Sequence, residues 1–220
     1  MNSIKVYGSF LKESFEETKN NFRVYLGCYI AFILVNFISS IPWVGMGHED
    51  NSFYSIIANI FVGLFSLVIV VSVIMIEKSR INLKEKEKLF YAAPTYLIYT
   101  LYYSIVLMIG LACFIVPGII VAVGFGMVPV AAVLIDSDNV NYFKVSWRMA
   151  KKDAVMMTIF TLASILAELV GVALDLIPDW RVKLGVNLMY SFIDALVLIV
   201  ITKASVKVFY HLQSRLNEAR

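Results

Sequence analysis

The sequence is short of charge: 16% of its 220 residues are Asp, Glu, Lys or Arg, and 60% are apolar. Soluble domains run near ~25% and ~50%, so an ordinary aqueous fold is excluded. Cysteine is scarce too. Cys28 and Cys113 are the only two, and they fall near opposite ends of different apolar runs. A disulfide needs Cα atoms within about 7 Å, so both read as buried free thiols. Histidine is limited to His48 and His211. His48 adjoins Glu49 and Asp50, but neighbours in one short loop rarely converge on an ion, and no metal site is expected. The first 22 residues lack the apolar core of a secretory leader, because Glu13, Glu16 and Glu17 interrupt them; no segment is expected to be removed.

Motifs that carry chemistry are missing as well. The sequence holds no nucleophile elbow, phosphate loop, dinucleotide turn, paired cysteines or HExxH, and no histidine stands within an apolar run to activate a serine. Neither an enzyme nor a cofactor is expected. The charge run 77–88 alternates in sign, which suits a solvated helix connection rather than a nucleic-acid site. Membrane lipids, and other membrane-protein subunits, are the partners that remain.

What the sequence does have is long apolar runs. They lie near 24–43, 54–76, 94–115, 117–135, 154–177 and 184–206, each close to the ~20 residues that cross ~30 Å of hydrocarbon. The third and fourth adjoin, so the chain must turn between them. Pro117-Gly118 is the expected corner, since proline removes a backbone donor and glycine accepts turn dihedrals. The expected fold is all-α: a single polytopic membrane bundle of six transmembrane helices in three hairpins, with cytoplasmic amphipathic helices.

Orientation follows from the basic residues, which are retained on the cytoplasmic side. Of the 19 Lys and Arg, all but Arg181 and Lys183 fall in one alternating set of segments. Six crossings then leave both termini cytoplasmic, with 207–220 as a tail and the bacterial inner (plasma) membrane as the location. Trp43 and Trp180 fall at the outer interface and Trp147 at the inner one, where amphipathic rings prefer the headgroup level. Each hairpin follows a polar, basic, aromatic-bearing segment: FLKESFEETKNNFRVYL, NLKEKEKLFYAAPTYL and YFKVSWRMAKKDAVMM. The segment 1–22 places Ile4, Tyr7, Leu11, Phe15 and Phe22 at helical spacing. That pattern suits an in-plane interfacial helix; the alternative is a cytosolic helix packed on its neighbours.

The stretch CFIVPGIIVAVGFGMVPVAAVLIDSDNVNYFKVSWRMAKKD resembles the signature of the glycerophosphoryl diester phosphodiesterase membrane-domain family, bacterial six-span proteins. In that family an apolar span ends in Pro-Gly, continues to an inner proline and an acidic residue, and reaches Ser-Trp before a basic turn. Here those are Pro117-Gly118, Pro129, Asp136, Ser146-Trp147 and Lys151-Lys152. Where the family carries a basic residue between the prolines, this chain has Gly124-Phe125-Gly126. The phosphodiesterase activity belongs to a separate soluble barrel in some members. The resemblance therefore implies a membrane region without that catalytic barrel, acting in envelope or lipid homeostasis or as the membrane component of a complex.

The sharpest residues within the runs are Glu168 and Asp194. An ionised side chain at the bilayer centre costs about 3 kcal/mol on insertion scales and needs a partner or a purpose. Both lie roughly 14–15 Å from the outer end at 1.5 Å per residue, so they are candidates for one shared layer. Two carboxyls there would hold a proton or a cation; alternatively each is protonated and bonds within the bundle to groups such as Asn36, Asn59 or Ser164. The Gly124, Gly126 and Pro129 run marks either a broken helix at a binding site or a kink that permits close packing. The second functional reading is accordingly a small-molecule or ion transporter, or a substrate-binding membrane subunit, with a midplane acidic site. Glu168→Gln with Asp194→Asn separates the two: proton- or cation-dependent uptake disappears from a transporter, whereas a scaffold keeps its partners and changes only in stability.

Overall fold

The computed structural model describes residues 3–40, 52–81, 89–135, 140–174 and 180–218. Among them the secondary structure is helical, without strands. The helices are α1 (Ser3–Asn20), α2 (Phe22–Ser40), α3 (Ser52–Ile81), α4 (Leu89–Cys113), α5 (Ile115–Phe125), α6 (Val128–Leu134), α7 (Tyr142–Lys152), α8 (Ala154–Leu174) and α9 (Trp180–Asn217). Three windows of the described helices are long and apolar enough to cross a membrane: Val62–Ser79, Ala92–Cys113 and Ile115–Leu134. Phe22–Phe37 and Ala154–Leu166 are shorter apolar helices. Residues 41–51, with Trp43 and the His48-Glu49-Asp50 trio, lie outside the described residues.

Apolar side chains are distributed in two tiers. One end of the bundle has a dense core in which Met127, Val128, Met149, Met156, Val206 and Phe209 are almost wholly buried. Elsewhere large apolar groups are exposed on α2, α3, α4, α5, α8 and α9, for example Leu34, Leu64, Met108, Val116, Leu166 and Met189. An exposed apolar belt of this extent is far beyond what a soluble monomer carries. Through the belt, α2, α3 and α9 touch in layers: Tyr25, Val73 and Ile199 form one, Phe32, Ile69 and Ala195 the next.

The corner between α4 and α5 comes at Phe114, three residues before the expected Pro117-Gly118. Phe114 is extended, and its N–H still reaches the Gly110 carbonyl at 3.2 Å. Pro117 sits in the first turn of α5. There its missing N–H would have sought the Cys113 carbonyl across the corner, so proline costs nothing. Gly118 is needed for contact rather than for turning: a Cβ there would lie 2.3 Å from Leu111 Cδ2. Cys113 is exposed, not buried as expected, because it stands at this bare apolar tip.

Two further expectations change. The segment 207–220 is not a detached tail, since α9 continues through Asn217 with Val208, Phe209 and Leu212 buried. At 1.5 Å per residue its 38 residues reach about 57 Å, and the apolar spacing of 208, 209 and 212 carries the core stripe onward. The three leading segments also differ from one another. Residues 142–152 form a separate amphipathic helix, but residues 89–97 are simply the start of α4, and 82–88 lie outside the described residues. In α1 the inward stripe runs Val6, Tyr7, Ser14 and Thr18, with Phe10 and Leu11 beside it, while Ile4 and Phe15 are exposed. It packs on α9 as a member of the bundle.

The close approach of α7 to α5 gives a direct test. A Cβ on Gly124 would sit 2.5 Å from the Trp147 ring, whereas Gly63 has open space around it. Gly124→Ala is expected to destabilise by about 1–3 kcal/mol through overpacking, and Gly63→Ala to be neutral or slightly stabilising. Thermal unfolding in detergent reads both.

Candidate functional site

The motif residues from the sequence gather at the break between α5 and α6. Pro129, in the first turn of α6, has no N–H for the Phe125 carbonyl, so the helix cannot run through. The freed groups are taken up by α7: Ser146 Oγ donates to the Gly124 carbonyl at 2.9 Å and accepts from the Met127 N–H at 3.3 Å. Ser146 is fully buried. Its neighbour Trp147 lies over Gly124 and meets the Phe125 ring at 5.5 Å between centroids. Gly126 stands where a Cβ would crowd the Ala122 carbonyl at 2.8 Å. Gly124, Gly126, Pro129, Ser146 and Trp147 are thus one packing unit, with Pro117 and Gly118 apart from it against α4.

The acidic pair fares differently. Asp194 lies on α9 and is half-buried, beside Ala195, which packs on Phe32 and Ile69. Glu168 belongs to α8, but its side chain lies outside the described ones, as does that of Trp180.

A different polar cluster occupies the densely packed end. Lys203, on α9, is completely buried. Its Nζ lies 3.3 Å from a Glu17 carboxylate oxygen on α1 and 3.5 Å from Glu77 Oε1 on α3. It also stands 4.7 Å over the Tyr25 ring on α2, and the Tyr25 hydroxyl donates to that same Glu77 oxygen. Neither carboxylate is aligned for a hydrogen bond to the ammonium, so charge and the ring face hold it. One turn further along, Lys207 Nζ donates to Glu17 at 2.7 Å and Glu13 at 3.2 Å. Glu13 and Glu17 are four apart on α1, Lys203 and Lys207 four apart on α9, and the helices run antiparallel. The ladder continues with Phe10 edge-on to His211 at 5.6 Å. It ends where Asp153 accepts from both Ser3 (2.9 Å) and Arg215 (2.8 Å).

Asp153 also accepts from the Met156 N–H at 3.0 Å, capping the start of α8. Lys78 is buried as well and donates to the Val133 carbonyl at 3.0 Å, satisfying an orphan group in the last turn of α6. Glu77 and Lys78 therefore leave the run 77–88 that read as solvated: the apolar face of α3 extends past the point where the sequence turns polar, and carries them into the core. Lys203 was legible only as one more flanking cation; the i, i+4 spacing of both pairs was its sole local sign.

Partial burial works against the charge on Glu17, but Lys207 and Lys203 outweigh it and hold the carboxyl below its usual range. Burial likewise opposes charge on Asp153, and the Met156 N–H, Ser3 and Arg215 outweigh it. For Lys207 burial favours the neutral amine, yet Glu17 and Glu13 raise its pKa above the ordinary value. No cluster of His, Cys, Asp or Glu suited to a metal occurs among the described residues. The arrangement can clamp four helices, and its charges are spent on one another.

Two outcomes follow. Lys203→Met takes the buried ammonium from between Glu17 and Glu77 and is expected to cost about 3–5 kcal/mol, the penalty of removing one partner of a buried ion pair, read as a lowered Tm in detergent. The depressed carboxylates contribute stability above their unfolded values of 3.8 and 4.5 that is lost as pH falls through the lower folded values. Lys207 contributes below 10.5 and loses it as pH rises through its raised folded value. Proteolytic release of 3–20 should accordingly be slowest between those limits.

No family model, curated protein or solved structure matches the chain.

Proposed function

We propose that this chain is a bacterial inner-membrane protein of six spans in three hairpins, with both termini cytoplasmic, that acts without catalysis in envelope or lipid homeostasis or as the membrane component of a complex. The observation that carries the reading is the segregation of the two tiers. Large apolar side chains are exposed along most of the bundle, where only lipid offers them a favourable solvent. The ion-paired ladder of α1 and α9 lies at the single end that also holds Lys78, Lys203 and Lys207, and that end is cytoplasmic by the retention of basic segments.

On this topology α1, α7 and the last third of α9 form a cytoplasmic platform welded to the spans. Glu77, Lys203 and Tyr25 join the platform to α2 and α3, so a load placed on α1 by a partner is transmitted to the membrane helices. The resemblance carried by Pro117-Gly118, Pro129 and Ser146-Trp147 is compatible with it: Pro129 and Ser146-Trp147 build the break and its seat on α7, and Gly118 packs the hairpin against α4.

Cysteine accessibility checks the topology. With Cys28 and Cys113 both replaced by Ser, a cysteine placed at 48 or 181 is expected to react with a membrane-impermeant maleimide in intact cells, and one at 86 only after lysis. The reverse pattern, or labelling of all three from outside, overturns the reading.

A further inference from the structure

Between α5, α7 and α8 runs a groove of about 370 Å³, within the range of small-molecule sites. Ile119, Ile120 and Val123 line it from α5, Trp147 and Lys151 from α7, and Thr158 from α8. Buried Gly124 forms its floor, and the absent Cβ is what lets the Trp147 ring lie there. One end is open and apolar: Ile119 and Ile120 are exposed and continuous with Ile115 and Val116 at the hairpin tip, roughly 10 Å of helix between Val116 and Val123. The other end carries a cation, Lys151 Nζ, 5.7 Å from the Trp147 ring centre and one turn further along α7. The Thr158 hydroxyl already donates to the Ala154 carbonyl at 2.8 Å, so Lys151 is the polar handle.

We propose that this groove is a binding site for one anionic phospholipid of the surrounding bilayer, its acyl chain along α5 and its phosphate on Lys151. The inference rests on the membrane reading above. Charge complementarity selects the occupant. α7 carries Lys144, Arg148, Lys151 and Lys152, all exposed, and no acidic residue, and the Asp153 carboxylate that follows it is paired with Arg215, so α7 presents net positive charge at the mouth and draws a net negative headgroup over a zwitterionic one. Phosphate accepts charge-assisted hydrogen bonds from an ammonium. Trp147 supplies a rigid amphipathic wall at the boundary between the chain and headgroup regions.

Trp147 also reports on the site. The chain has three tryptophans, so Trp43→Phe with Trp180→Phe leaves Trp147 as the single emitter in lipid nanodiscs. Brominated phosphatidylglycerol is expected to quench it at a mole fraction about fivefold lower than brominated phosphatidylcholine, the factor one basic residue contributes at an anionic surface. Lys151→Gln removes that gap, and Lys144→Gln, outside the groove, keeps most of it. Equal quenching by the two lipids, or a gap unchanged in Lys151→Gln, overturns the site. So does emission shielded from both lipids, as a second copy seated in the groove would give. A chain that stays monodisperse in buffer without detergent overturns the membrane reading instead, so the two failures are distinguishable.

Discussion

The described end of the bundle is organised around one ammonium placed where water does not reach. Lys203 has no exposure, and a buried cation is tolerated only where opposite charge surrounds it. Glu17 and Glu77 supply that charge from α1 and α3, and Tyr25 on α2 adds its ring face, so burying Lys203 ties α9 to three other helices. The antiparallel register of α1 on α9 follows, because Glu17 can meet Lys203 and Lys207 while Ser3 and Arg215 both reach Asp153 in only one alignment. Interactions of this kind favour a specific arrangement more than a large net stability, since desolvation offsets much of the attraction.

A second constraint shapes the broken span. Pro129 forbids a continuous helix, and the liberated backbone groups at Gly124 and Met127 need partners in a place without water. Ser146 supplies both, and Trp147 fills the volume that Gly124 leaves open. The proline, the glycines and the Ser-Trp pair are therefore one device with two halves about 20 residues apart in sequence, and the break and the seat of α7 exist only together. The same device leaves a groove beside Trp147 with a lysine at its mouth. A packing solution and an apolar recess thus share the same residues.

Much of the helical plan was open to reading. Apolar runs of sufficient length, bounded by charge, gave the helices α2, α3, α4 and α8, with α3 running past its expected end and α4 starting before its expected start, because apolar composition is a local property of each segment. The corner before Pro117-Gly118 was misplaced by three residues, since proline is tolerated inside the first turn of a helix as readily as in a turn. The stripe on α1 was rotated: Phe15 and Ile4 fit the period but are exposed, and small polar Ser14 and Thr18 are buried in their place.

The sequence by itself determined the helical class, the apolar tier and the segregation of basic residues, because each is a sum over local side-chain chemistry. Only the tertiary structure decided which charges are buried. Glu77, Lys78 and Lys203 look like ordinary flanking ions in the chain, and what makes them interior is the arrival of carboxylates, a ring and a helix end from distant segments, as far apart in sequence as Glu17 and Lys203. Pairing at such distance obeys Coulomb attraction and desolvation, which depend on separation in space and leave no periodic trace along the chain.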